Sequence, residues 1–227
     1  RLLRALAVMG SGTMVSRVLG LVRVALVTFV IGNGTPQADT YAVALTIPTA
    51  LYILFAGGAL NSVLVPQLTR AAKNDADGGE AYTNRITTAF LLILLTVTIA
   101  VTLAAPLITR IYSSELWRTP EMADHYRAMV FLTMVTMPEV FFYGAFVILG
   151  QILNARDRFG PMMWAPVASN IIQVASILIF LFAWGRTDGQ GVFTPAQIWV
   201  LGGGYLLGAI VQAAVLVVFL ARIGYRF

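Results

Sequence analysis

The stretch "ITTAFLLILLTVTIAVTLAAPLI" at 86–108 carries no charged side chain. As an α-helix, at 1.5 Å per residue, it reaches roughly 30 Å, the thickness of a bilayer's hydrocarbon core. Inside that core every backbone N–H and C=O must find a partner within the protein, so only helices and closed barrels can cross. The run has no alternating strand pattern, which leaves the helix. Five further runs share its length and apolar character, at about 6–31, 40–68, 128–153, 162–184 and 196–221. Breakers such as Pro48 and the "AGGA" at 56–59 are tolerable in a membrane helix when neighbours re-satisfy the freed backbone groups. Hydrophobic residues make up 59% of the chain and charged ones 11%; soluble domains sit near 45–50% and about 25%. The fold class that follows is all-α integral membrane, a six-helix transmembrane bundle over 1–227.

The same residues exclude several functions. With no cysteine there is neither a disulfide framework nor a thiolate metal site. No Gly-rich phosphate loop with Lys, no His-Glu-x-x-His and no nucleophile elbow occurs. The net charge of +5 comes from arginines in loops and in the first span rather than from a nucleic-acid-binding face. Neither cofactor, metal nor enzymatic activity is expected. The 6–31 run is too long for a signal-peptide h-region and lacks an Ala-x-Ala cleavage pattern, so it reads as a retained helix.

Orientation follows from Lys and Arg in the short loops. With the N-terminus cytoplasmic, the inner ends and loops hold nine of the 15 basic residues, among them Arg70, Lys73, Arg85, Arg156 and Arg158. The outer loops hold four, namely Arg110, Arg118, Arg127 and Arg186. The expected orientation therefore has both ends on the cytoplasmic side.

The two remaining cations, Arg17 and Arg23, lie within the first span, in "SRVLGLVR". Each costs about 2.5–3.5 kcal/mol at mid-helix on insertion scales. At 100° per residue they stand about 120° apart with Gly20 midway, and Ser16 and Thr28 fall in or near the same sector. The opposite arc, including Val15, Leu19, Val22 and Leu26, is wholly apolar. Arg17 lies roughly 20 Å and Arg23 about 12 Å from the outer end at Ile31. Either each arginine pairs with a carboxylate or carbonyls inside the bundle, or both face an aqueous cavity that takes an anion. The only acid deep in a span is Glu139, and one acid cannot neutralise two guanidiniums. Guanidinium suits phosphate because its fork of donors matches two oxygens.

Three blocks, "SRVLGLVR" at Ser16–Arg23, "ADTYAVALTIPTALYILFAGGALNSVLVPQL" at 38–68 and "GQILNARDRFGPMMWAPVASN" at 150–170, resemble the MurJ/MviN lipid II flippases of the multidrug/oligosaccharidyl-lipid/polysaccharide exporter superfamily. Their wording is similar to that of actinobacterial members. The resemblance implies a fold of roughly fourteen helices in two lobes around a cationic cavity, of which six spans make the N-terminal lobe. It also implies a function: moving lipid-linked peptidoglycan precursor from the inner to the outer leaflet by alternating access. Partners would be lipid II or a similar polyprenyl-diphosphate-linked sugar, membrane lipids, the C-terminal lobe and cell-wall synthesis proteins. Arg17 and Arg23 fall on the family's cavity arginines, which would bind the pyrophosphate, and Asp39 on its acid at the outer start of the second helix. Asp39, Glu139, Ser16 and Gly20 are candidates for cavity or gate positions. Asn154, Arg158, Phe159 and Pro166 match a block of structural character. Val24, Tyr52, Ile53 and Gly57 depart from the family, with fewer charges than many members carry there. Two rivals stand beside this reading: a related exporter of drugs or of another polyprenyl-linked oligosaccharide, and a non-transporting scaffold for cell-wall enzymes. A cation exporter should show mid-membrane acids in excess, whereas here two arginines face one glutamate.

Gly57–Gly58 and Pro48 read as close-packing or hinge positions, and Gly202–Gly204 as a packing stretch. Asn61, Asn170, Gln173 and Gln212 read as interhelical hydrogen-bonding groups.

Overall fold

A computed structural model describes residues 1–54, 58 and 60–227. Among the described residues the chain is helical and contains no strand. The helices are α1 (Leu2–Ile31), α2 (Pro36–Tyr52), α3 (Val65–Asn74), α4 (Glu80–Leu103), α5 (Ala105–Tyr112), α6 (Ala123–Thr136), α7 (Glu139–Ala155), α8 (Gly160–Trp184) and α9 (Pro195–Arg222). Five spans are long and apolar enough to cross a membrane: α1, α4, Pro120–Ala155 (which contains α6 and α7), α8 and α9. The run at 40–68 is described in pieces, α2 and then a π-helical turn at Leu60–Leu64 leading into α3. Gly57, half of the hinge expected at Gly57–Gly58, lies outside the described residues.

Local chemistry sets the boundaries. Thr35 caps α2: its side chain accepts from the Ala38 N–H at 3.2 Å, and Pro36 follows at the first helical position. Thr194 opens α9 with a reciprocal capping box to Gln197, again with Pro next. Proline also divides two of the expected spans. Pro106 begins α5 just after α4 ends, and Pro138 separates α6 from α7. A proline cannot donate to the carbonyl four residues back. At the α6–α7 junction the bonds accordingly tighten, with Val140 N donating to Met137 O and Phe141 N to Pro138 O.

The span containing α6 and α7 is the centre of the bundle: 72% of its most apolar 18-residue stretch is buried, against 11–33% for the corresponding stretches of the other four. α9 packs on α6 and α7, α8 on α9, and α1 on α8; on the other flank α2 packs on α6 and α7, and α4 on α7. α1 and α2 are joined by residues 32–35 yet lean principally on different partners, α8 for the first and α6 with α7 for the second. Small residues allow the closest approaches. A Cβ on Gly204 would stand 2.2 Å from Ser176 Oγ, and one on Gly144 equally near Leu94 Cδ2. These are the small-residue contacts by which membrane helices pack without a hydrophobic driving force.

Candidate functional site

The two arginines of α1 meet different surroundings. Arg23 is half-buried on the side of α1 that packs against α8. Its Nη1 donates to Gln173 Oε1 on α8 at 2.5 Å and to Tyr205 Oη on α9 at 3.0 Å. The guanidinium carbon sits 5.6 Å from the centroid of the Tyr205 ring, within cation–π range. Gln173 in turn donates through Nε2 to Ser169 Oγ at 3.2 Å, one turn earlier on α8. Both bonds to Arg23 use the same nitrogen, so Nε and Nη2 have no hydrogen-bond partner among the described residues. Arg17 is exposed, and among the described residues it makes no hydrogen bond or ion pair.

The two arginines expected on one polar face therefore differ in burial and in partners. α8 fills the arc around Arg23 and leaves the arc around Arg17 open. Val24, on the Arg17 side, is 56% exposed, while Leu26, from the expected lipid arc, packs against the buried core. Gly20, between the arginines, has no other atom within 4 Å of where a Cβ would stand, so open space runs beside both. Ser16 ties α1 to α8: Asn170 Nδ2 donates to its Oγ at 3.1 Å and to its carbonyl at 3.2 Å.

Asp39 is exposed at the start of α2. Ala42, Thr46, Thr49 and Ile53 are exposed with it at spacings of three and four, which is one stripe of the helix. The Thr46 and Thr49 hydroxyls donate back to Ala42 and Leu45 carbonyls. Tyr52, at the C-terminal end of α2, packs on Tyr143 with ring centroids 5.8 Å apart.

Glu139 is fully buried at the first turn of α7, and neither carboxylate oxygen has a hydrogen-bond partner among the described residues. It lies within electrostatic reach of Arg23. Tyr41 of α2, Tyr143 of α7 and Tyr205 of α9 are within reach of the same two groups. A Cβ on Gly202 of α9 would stand 2.8 Å from Val135 Cγ1, and Glu139 lies four residues beyond Val135. Tyr205, three residues beyond Gly202, is hydrogen-bonded to Arg23, so Glu139 and Arg23 approach the same stretch of α9. The three tyrosines there were not anticipated. The signal for Tyr205 is in the sequence: a phenol in the apolar "GGGYLLG" needs a buried partner. Gln173 and Asn170 do make interhelical hydrogen bonds, both to α1. Among the described residues no group of three or more His, Cys, Asp or Glu could hold a metal.

The "LN…RF…AP" block forms the α7–α8 turn, where Asp157 takes a left-handed conformation (φ 57°) and Arg158 N donates to the Leu153 carbonyl at 2.9 Å.

The family model described as "Lipid II flippase MurJ" matches residues 29–227. A "Probable lipid II flippase MurJ" of Rhizobium tropici is 26% identical across 100% of this chain and 42% of its own length. One of Haemophilus influenzae is 31% identical over 73% of this chain and 33% of its own length. A solved structure titled "Lipid II flippase MurJ, inward closed conformation" superposes with a TM-score of 0.69 at 22% identity, over 96% of this chain and 42% of that one. The chain thus spans about two fifths of the length of these relatives. It shares their all-helical fold, and it belongs to the MurJ lipid II flippase family.

Proposed function

We propose that this chain is the N-terminal lobe of a flippase that carries lipid II, or a closely similar polyprenyl-diphosphate sugar, from the inner to the outer leaflet of a bacterial cytoplasmic membrane. The observation that carries the reading is Arg17: a guanidinium deep in an apolar span, exposed, without a counter-charge among the described residues and beside open space at Gly20. In a bilayer such a group needs water and an anion. Arg23 adds to it through Nε and Nη2, donors without a partner among the described residues and suited to two phosphate oxygens. The exposed stripe of α2 headed by Asp39 forms the facing wall of the same cavity, which the C-terminal lobe closes. Alternating access moves the diphosphate while the polyprenyl chain stays in lipid. Binding and release suffice, so the protein is a transporter and not an enzyme. Its N-terminus is cytoplasmic, and cell-wall synthesis proteins are its further partners.

The test is complementation by the full-length protein in a flippase-depleted strain, normalised to membrane abundance. Arg17→Ala is expected to abolish growth at near-normal abundance, and Arg17→Lys to rescue poorly, because it keeps the charge but loses the fork. Full complementation by Arg17→Ala overturns the reading. Loss of growth that only follows loss of protein favours the scaffold instead.

A further inference from the structure

Glu139 is the one acid deep in a span, and the binding reading above gives it no task. It is fully buried with both carboxylate oxygens unpartnered among the described residues. An ionised carboxylate cannot stay in a bilayer interior without compensation. The surroundings narrow what can compensate it. Of the elements packed around it, α2 presents Tyr41 and, further along, Tyr52; α7 itself presents Tyr143; α9 presents Tyr205. α4 and α5 carry no charge from 86 to 109, α6 none from 128 onward, and α8 none in its length; the cations of α3, Arg70 and Lys73, lie beyond the spans. Arg222 stands in the last turn of α9 and Arg17 is exposed, which leaves Arg23, bonded to Tyr205, as the cation turned toward this interior. Two things can therefore neutralise Glu139: a proton, or the Arg23 guanidinium.

Arg23 in turn has a choice of seats. In the structure its Nη1 rests on two neutral acceptors, Gln173 and Tyr205, with Nε and Nη2 without a partner among the described residues. We propose that Glu139 is a protonation site linked to anion capture at Arg23: the carboxyl holds a proton while the guanidinium is engaged by Gln173, Tyr205 or a diphosphate, and yields it when the guanidinium turns to the carboxylate. The inference rests on the reading that Arg23 binds the diphosphate. The balance is simple. In the fraction of anion-free protein whose guanidinium has turned to Glu139, capturing the anion draws it away, an O–H bond forms on the carboxylate with a proton from cavity water, and the lipid changes no covalent bond. Where the guanidinium already rests on Gln173 and Tyr205, as in the structure, no proton is taken up. The loaded state holds more protons than the empty one, so anion affinity must fall as pH rises through the range where Glu139 exchanges its proton. For one linked proton the fall is at most about tenfold per pH unit. Reciprocity requires the bound anion to favour protonation by the same factor.

The experiment is calorimetric titration of the full-length protein in detergent with a short-chain polyprenyl diphospho-sugar. Its diphosphate is doubly substituted and has no proton of its own to exchange near neutral pH. Binding heats are compared in buffers of different ionisation enthalpy, which reports protons taken up per anion. The wild type is expected to take up a fraction of a proton, rising toward one, with affinity declining as pH rises. Glu139→Gln should bind with a heat independent of buffer and an affinity flat across pH. Gln173→Ala removes a neutral seat and should increase the uptake; it provides a second arm should Glu139→Gln not fold. Wild-type binding with no buffer dependence overturns the linkage and leaves the arginine reading intact. Uptake that persists in Glu139→Gln, or falls in Gln173→Ala, also overturns it. Absence of binding by the wild type overturns the arginine reading and the linkage with it.

Discussion

Arg23 and Arg17 differ by six positions and by nearly everything that decides a side chain's task. Arg23 is anchored by Gln173 and Tyr205, so its partners are part of the packing of α1 on α8 and α9. A hydrogen bond to a charged group contributes about 1.5–3 kcal/mol. Gln173→Leu should therefore lower the thermal unfolding temperature of the detergent-solubilised protein by an amount corresponding to roughly 1–3 kcal/mol. Arg17→Ala should leave unfolding within about 0.5 kcal/mol of the wild type, as for other exposed positions without partners. If Arg17→Ala destabilises as much as Gln173→Leu, Arg17 has a structural partner and the split between the two arginines fails. Asp77 offers a second residue-scale test, outside the membrane. Its carboxylate accepts from the Gly79 N–H at 3.0 Å and the Ala81 N–H at 3.1 Å, and these bonds hold it below the usual carboxylate range. The favoured form is the ionised one, so its contribution is complete above the ordinary carboxylate pKa and is lost as pH falls through the lowered one. Hydrogen exchange at Ala81 should accelerate, relative to Thr96 in the same helix, as pH drops into that range. Asp77→Asn should show the acceleration already at neutral pH.

At the scale of the element, glycines on one helix divide by what lies opposite. On α9, a Cβ at Gly204 would collide with Ser176 Oγ and Cβ, and one at Gly202 with Val135 and Leu132, whereas one at Gly203 would meet nothing within 4 Å. Gly203→Leu should be accommodated. Gly204→Leu should part α8 from α9 and cost at least the 1–3 kcal/mol or so typical of overpacking. Comparing the two unfolding temperatures decides it, and equal effects would mean that α9 does not meet α8 through this face. The sequence "LGGG" marks this stretch as a packing face but cannot say which glycine touches. That depends on how far α9 is rotated toward α8, which is fixed by Tyr205, Gly208 and their neighbours together. Helix identity was legible because apolar run length alone decides it; Pro106 and Pro138 were legible as prolines, though their division of two spans into α4–α5 and α6–α7 was not read. The helical wheel of α1 placed Arg17 and Arg23 correctly relative to each other. It could not know that α8 would cover the arc around one and not the other, since a wheel describes a single helix and burial belongs to a pair. The tyrosines near Glu139 escaped for the same reason: Tyr41, Tyr143 and Tyr205 come from three helices and are neighbours only once those helices pack.

At the scale of the whole molecule, α1 and α2 each keep an exposed stripe while the span of α6 and α7 is largely buried between the other helices. Among the described residues Arg17 has no partner on that exposed face, and in a bilayer such a group calls for water or a counter-charge. The chain spans about two fifths of the relatives' length, and the proposed function requires one particular orientation in the membrane, with the arginines reachable by a cytoplasmic anion. Basic residues predict that orientation. The α3–α4 loop, between Lys73 and Arg85, and the α7–α8 turn, with Arg156 and Arg158, lie at the same end of the bundle: Arg156 Nη2 reaches the Gly78 carbonyl at 3.5 Å, and its guanidinium stands 4.7 Å from the Tyr225 ring after α9. The α8–α9 loop lies at the other end, where Thr187 N donates to the Val30 carbonyl at the end of α1. By the positive-inside rule the first end is cytoplasmic. Two exposed positions report on it, Ala76 in the α3–α4 loop and Gln190 in the α8–α9 loop; neighbouring Gly189 is unsuitable, because a Cβ there would stand 2.4 Å from Thr35 Cγ2 on a left-handed backbone. Cysteine introduced singly at each, in cells expressing the full-length protein, should react oppositely with a membrane-impermeant maleimide. Gln190→Cys should label in intact cells, and Ala76→Cys only after the membrane is opened. Labelling of both from the same side would contradict the packing of these loops at opposite ends. Labelling in the reverse sense would turn the lobe over, place the Arg17 cavity's basic rim outside, and remove the route by which a cytoplasmic diphosphate reaches it.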